Sequence, residues 1–210
     1  MSMRPTTPLG SAATLATLAS LATAAPAGTQ AATPSAAWDV TQARGRTRAI
    51  EFSASEGTFE AVDVSPDGRW VLFDLLGHIY RVPASGGTAE CLTQASGAAL
   101  NFHPRYSPDG TRIAFVSDRG GQDNLWVMDS DGSHPRPVFT DRYSRVRQPA
   151  WMPDGRSLVA VRVFPTVLDW EFHRTTLAAF RLSGAPPTEL LASDSWQYYW
   201  PSPAPDGRYL

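Results

Sequence analysis

Val64-Ser65-Pro66-Asp67-Gly68-Arg69-Trp70-Val71-Leu72-Phe73 and Tyr106-Ser107-Pro108-Asp109-Gly110-Thr111-Arg112-Ile113-Ala114-Phe115 are two copies of one unit. Pro153-Asp154-Gly155 and Pro205-Asp206-Gly207 continue the series, with the Asp positions 42, 45 and 52 residues apart. Ser65-Pro66-Asp67-Gly68 fits a type I turn position by position. Ser can bond the backbone ahead, Pro presets φ, Asp suits the third place, and Gly accepts the exit. Apolar and polar residues alternate before each turn and an apolar run follows it, which is a hairpin pattern. Short strands repeating every 40–50 residues or so predict a β-propeller with one four-stranded blade per repeat.

The spacing assigns a first blade to residues 58–94, with strands at 59–64, 70–73, 78–82 and 88–92. A second, at 101–140, has strands at 102–106, 112–116, 124–128 and 136–139. The third starts at 148–151 and continues with 158–163 and 176–182. Between those two strands lies an aromatic insertion, residues 164–174, that is expected to project from the blade. A fourth starts at Tyr198, and Leu210 falls inside its expected second strand. The fold class is therefore all-β: an incomplete propeller of antiparallel four-stranded blades, about three plus the start of a fourth. Three blades and a fragment do not close a ring, so the sequence reads as truncated, with further blades to follow. Residues 47–52 read as a lone strand that would complete the last blade.

Residues 1–37 differ from the rest. Arg4 is the only charge before Asp39, and a small, moderately apolar run follows it. This reads as a secretory signal peptide and flexible leader, placing the protein in the periplasm or outside the cell; a disordered Ala-rich tail is the alternative. The run is too short and too diluted by Thr and Ser for a membrane span. Residues 38–210 form the propeller segment.

All 18 basic residues are Arg, and the formal net charge is −2. The absence of Lys removes Schiff-base and lysine-base chemistry. The charge gives no reason to expect nucleic acid as a partner. Arg142-Tyr143-Ser144-Arg145-Val146-Arg147 interleaves cations with an aromatic, but no second basic stripe accompanies it, and it reads as a solvated loop between blades. Cys91 is the only cysteine, which excludes an internal disulfide, and it reads as a small buried side chain.

His78, His103, His134 and His173 show no metal-ligand spacing, among themselves or with Cys91. His103, before Pro104, reads as a packing or channel-facing residue. Asp129-Ser130-Asp131-Gly132-Ser133 has its glycine too early for a calcium loop and reads as a turn. Asp118, Arg119 and Asp123 read as a polar loop bracing nearby backbone. No Gly-x-Ser-x-Gly elbow or phosphate loop occurs. The sequence therefore assigns no catalytic, cofactor-binding or metal-binding residue.

Residues 104–132, from Pro104-Arg105-Tyr106-Ser107-Pro108-Asp109-Gly110 to Asp131-Gly132, resemble the WD40-like repeats of the TolB family, shared with tricorn and prolyl-oligopeptidase-type peptidases. Trp38-Asp39-Val40, Val62–Gly68, Phe73-Asp74-Leu75-Leu76-Gly77-His78-Ile79-Tyr80 and Leu100–Ser107 are similar to the N-terminal propeller of exported bacterial amidohydrolase-family proteins. That family usually has Asp where His78 stands. The resemblance implies a non-catalytic propeller, a substrate-access or interaction platform for a downstream hydrolase acting on C–N bonds. It implies a divalent metal such as zinc in that downstream barrel and no cofactor in this segment. The partner would be that catalytic domain or a periplasmic protein. A TolB-like periplasmic binding propeller and the gating propeller of a serine peptidase are the alternatives.

Overall fold

The computed structural model describes residues 39–48, 51, 53, 54, 56, 57, 60–164 and 174–210. Among the described residues, twelve strands form three separate sheets of four. The first holds β1 (Val62–Val64), β2 (Trp70–Leu75), β3 (His78–Pro83) and β4 (Glu90–Cys91). The second holds β5 (Asn101–Tyr106), β6 (Arg112–Ser117), β7 (Asn124–Asp129) and β8 (Arg136–Phe139). The third holds β9 (Arg145–Trp151), β10 (Ser157–Phe164), β11 (Arg174–Arg181) and β12 (Thr188–Ser193). Each sheet is an antiparallel meander in chain order, with its first strand inside and β1, β5 and β9 packed side by side. These are propeller blades.

The sheets stack because their middle strands are apolar on both faces. In β6, Ile113 and Phe115 pack toward the first blade, against Leu72, Ile79 and Leu92. Ala114, between them, faces the third blade and joins Leu158, Ala160, Ala178 and Phe180. The two-residue period of a strand thus produces two interfaces from one run. Truncating a fully buried Phe such as Phe115 costs about 3–5 kcal/mol in such settings.

Several sequence expectations shift. The strand expected at 59–64 is shorter, Val62–Val64: Glu60 and Ala61 are outside it, and Phe59 lies outside the described residues. The last strand of blade one shrinks to Glu90–Cys91, and Cys91 is half-buried rather than buried because β4 is the outer strand. The loop read at Arg142–Arg147 is divided: β9 opens at Arg145, while Tyr143 stays exposed. The strand proposed at 47–52 lies partly outside the described residues, and Thr47, Arg48 and Glu51 are not in a strand. Residues 165–173, with His173, and residues 1–38 also lie outside them. The fourth unit forms its turn but no ladder, because no neighbouring strand accompanies residues 194–210 among those described.

All four turns share one backbone. In each, the glycine N–H donates to the carbonyl three residues back: Gly68 to Ser65 at 2.8 Å, Gly110 to Ser107 at 2.8 Å, Gly155 to Met152 at 2.9 Å and Gly207 to Ala204 at 2.9 Å. In each, the Asp carboxylate accepts the N–H two residues ahead, at 2.9–3.0 Å. The glycines take φ of 71°, 71°, 63° and 70°, which L side chains adopt only with strain.

Candidate functional site

The inner strands carry a feature the turn pattern did not announce. The residue four places before each turn is Ala61, His103, Gln148 or Trp200, and the last three have φ of 54°, 52° and 48°. Each of those three precedes a proline. At His103-Pro104 and Gln148-Pro149 the ladder to the next strand skips, giving a bulge in β5 and another in β9. Proline brings no N–H to the inner edge, and a bulge ends regular pairing there. Both devices blunt an edge that would otherwise recruit another strand.

Side chains, most of them reaching between neighbouring blades, take up further backbone groups of the inner strands. Asp74 accepts the Ala61 N–H at 2.9 Å through Oδ1 and the His103 N–H at 2.6 Å through Oδ2. The Gln148 N–H donates to His103 Nδ1 at 3.4 Å, and the Trp200 N–H to Gln148 Oε1 at 2.9 Å. Further along, Asp63 accepts the Tyr106 N–H at 2.7 Å, and Trp151 Nε1 donates to the Arg105 carbonyl at 3.0 Å. Burial pushes the His103 imidazole below the ordinary histidine value, against the pull of Asp74. A neutral ring leaves Nδ1 free to accept from Gln148.

Inside this belt lies a hollow of about 460 Å³ where four inner segments converge. Its walls include Asp63, Arg105, Tyr106, Trp151, Trp200 and Pro203. The Arg105 guanidinium lies 5.6 Å from the centre of the Trp200 ring, and the His103 ring meets Trp200 edge-on at 5.4 Å. Toward the other end of the strands a second hollow is lined by Glu56, Glu60, Asp74 and His103, among others. His103 is therefore both a packing residue and a wall of this second hollow, as its place before Pro104 suggested. The X-Pro dipeptide four residues before the turn was the legible signal for the rest of the belt.

The other sequence candidates lie elsewhere. Asp118 accepts the Leu100 N–H at 2.8 Å and so braces backbone as read, whereas the Arg119 side chain donates to the side-chain oxygens of Asn101 and Ser117. Asp123 is half-buried, and burial pushes its carboxyl up against the pull of Arg145. Asp129–Ser133 is a turn between β7 and β8, where Asp131 accepts from Ser133 and Asp129 pairs with exposed His134 at 2.8 Å. His78 contacts Thr93 across its own blade. Among the described residues no three of His, Cys, Asp and Glu are grouped to hold a metal ion.

A stack of four-stranded antiparallel meanders around a lined hollow defines the class as β-propeller. The chain belongs to the TolB β-propeller family, PD40, whose pattern matches residues 39–210. It is 32% identical over 124 residues to the uncharacterized protein Atu1656 of Agrobacterium fabrum, covering 52% of this chain and 42% of that protein. It is 44% identical over 64 residues to the uncharacterized peptidase YuxL of Bacillus subtilis, covering 30% of this chain and 10% of the peptidase. With tricorn protease homolog 1 of Streptomyces coelicolor it shares 30% over 125 residues, 60% of this chain and 11% of that protein. The chain thus spans less than half the length of each of these relatives. TolB from Acinetobacter baumannii superposes with a TM-score of 0.51 at 24% identity, over 66% of this chain and 33% of TolB, which shows the shared fold.

Proposed function

We propose that this propeller is the substrate-access module of an exported peptidase, admitting and orienting peptide without catalysing its cleavage. The observation that carries the reading is the hollow between inner strands whose edges are already capped. A peptide entering it meets side chains rather than a free strand edge, so it can pass instead of being added to a sheet. The stretch shared with YuxL and with the tricorn homolog belongs to proteins named as a peptidase and a protease, which favours peptide as the substrate class. The amidohydrolase parent expected from the N-terminal resemblance draws no such support from these relatives. In this reading the segment supplies neither catalytic residue nor cofactor ligand, its partner is a peptidase domain of the same gene product, and its Arg4-led leader directs export.

Ala150 lines the hollow, and Ala150→Trp would fill it. In the full-length gene product the substitution should slow cleavage of long peptides at least about tenfold, an ordinary consequence of misplacing substrate. Hydrolysis of a single-residue ester should be unchanged. Equal loss on both substrates, or on neither, sinks the access role. Peptide binding by a gene product with no Gly-x-Ser-x-Gly downstream of Leu210 would instead favour a TolB-like binding protein.

A further inference from the structure

Arg105 is held unlike the ion-paired arginines. Arg69, Arg81, Arg162 and Arg174 each pair with a carboxylate. Arg105 instead spends its Nη1 on two backbone carbonyls, Val62 at 3.0 Å and Pro104 at 2.9 Å. Nη1 has two protons, so both are used. The Nε–H and the two Nη2 protons have no acceptor among the described residues. Asp63, the acid on the neighbouring inner strand that shares this hollow, is not within ion-pair distance and is engaged with the Tyr106 N–H.

This leaves a guanidinium anchored at Nη1, on the wall of the hollow, with its Nε–Nη2 edge unmet among the described residues. Two parallel N–H groups at that edge match the two oxygens of a carboxylate, and a planar fork already anchored at its third nitrogen loses little freedom on binding. The Trp200 ring backs the cation, and Val64, Pro201 and Pro203 offer an apolar wall beside it. Resting on the reading that peptide enters this hollow, the geometry points to Arg105 as the receptor for a peptide carboxylate. The side chain next to that carboxylate would lie on the Trp200–Pro203 wall. The charge could come from a chain terminus or from an acidic side chain, and both present the same two oxygens.

Three probes separate these sources: N-acetyl-Ala-Phe as the free acid, the same dipeptide as its amide, and N-acetyl-Ala-Glu amide. Each is titrated into the 210-residue chain by calorimetry, with arginine Nε–H signals followed by NMR. The free acid should bind and move the Arg105 signal, and its amide should bind at least about tenfold more weakly, as charge-assisted bidentate bonds predict. Binding of the Glu amide at the strength of the acid would assign the site to any carboxylate; its failure would assign it to the terminus. Arg105→Lys keeps the charge and loses the fork, so it should bind the acid more weakly than wild type and more tightly than Arg105→Gln. Exposed Arg181→Gln should change nothing. Should Arg105→Gln not fold, the acid-against-amide comparison in the wild-type chain still decides. Equal binding of acid and amide, abolished by Ala150→Trp, would overturn the carboxylate receptor and leave peptide access standing. No binding of any probe would overturn both.

Discussion

Turns one and two and turns three and four have the same backbone and different side chains, and the difference separates what makes the hairpin from what reinforces it. In the first pair a buried serine stands before the proline. Ser107 donates to Asp109 at 2.5 Å and accepts the Arg112 N–H at 2.9 Å, and Ser65 does the same with Asp67 and Trp70. Met152 and Ala204 occupy that place in the other pair and can do neither. The third turn recovers part of the arrangement from the opposite arm, where the Ser157 hydroxyl approaches Asp154 at 3.4 Å. All four still close with the same glycine bond. Pro, Asp and Gly are therefore sufficient for the turn, and serine is an added brace.

That division can be broken first at glycine. Gly110 has positive φ, and a Cβ there would sit 3.4 Å from Pro66 of the preceding turn; Gly207 has the same φ with nothing within 4 Å. Gly110→Val should cost the most, about 2–3 kcal/mol from backbone strain with crowding added, and Gly207→Val less. Thermal melts of both variants check the order, and equal shifts would mean that stacking of one turn on the next contributes nothing.

The serine brace should be worth less. Ser107→Ala leaves the Arg112 N–H without its acceptor and should cost about 1–2 kcal/mol, whereas Met152→Ala removes no such bond and loses only packing. Urea melts of the two variants, with chemical shifts of the Arg112 and Ser157 amides, distinguish a lost hydrogen bond from lost contact.

Acid offers a third comparison. The Ser107 hydroxyl, followed by the Thr111 N–H and hydroxyl, holds Asp109 at about 2. The Ser65 hydroxyl, with the Arg69 N–H and guanidinium behind it, holds Asp67 at about 2. An unfolded aspartate titrates near about 3.9, so the folded values are depressed. Their stabilisation is complete above that value and is lost as pH falls from about 4 toward 2. Ser107→Ala should raise the Asp109 value and move its share of that loss to higher pH. Carboxyl carbon shifts recorded against pH would show it, and an unmoved Asp109 would mean that the Thr111 N–H and hydroxyl set its acidity without the serine.

The smallest effect is expected from adding the brace where it is missing. Ala204→Ser supplies a hydroxyl to the fourth turn, at a position with no ladder beyond it. The gain in melting free energy should stay within about 0.5 kcal/mol, the usual range for surface changes. A larger gain would show that the unladdered turn limits stability.

The sequence by itself determined what depends on neighbours within a few residues. Turn residues, strand alternation and repeat period are local chemistry, and they placed the three blades and most strand ends to within two residues, while the last strand of the third blade, Thr188–Ser193, was not read at all. Strand ends that depend on a partner, such as the two-residue β4 and the early start of β9 at Arg145, were misplaced by local reading. Nothing local says that Arg105 reaches Val62, Trp151 reaches Arg105 or Trp200 reaches Gln148. Those bonds span 43, 46 and 52 residues, about one repeat each. Only the stacking of one blade on the next brings such residues together. The tertiary structure therefore decided the side-chain bonds of the belt, the hollow and the anchoring of Arg105, because these rest on partners one blade away.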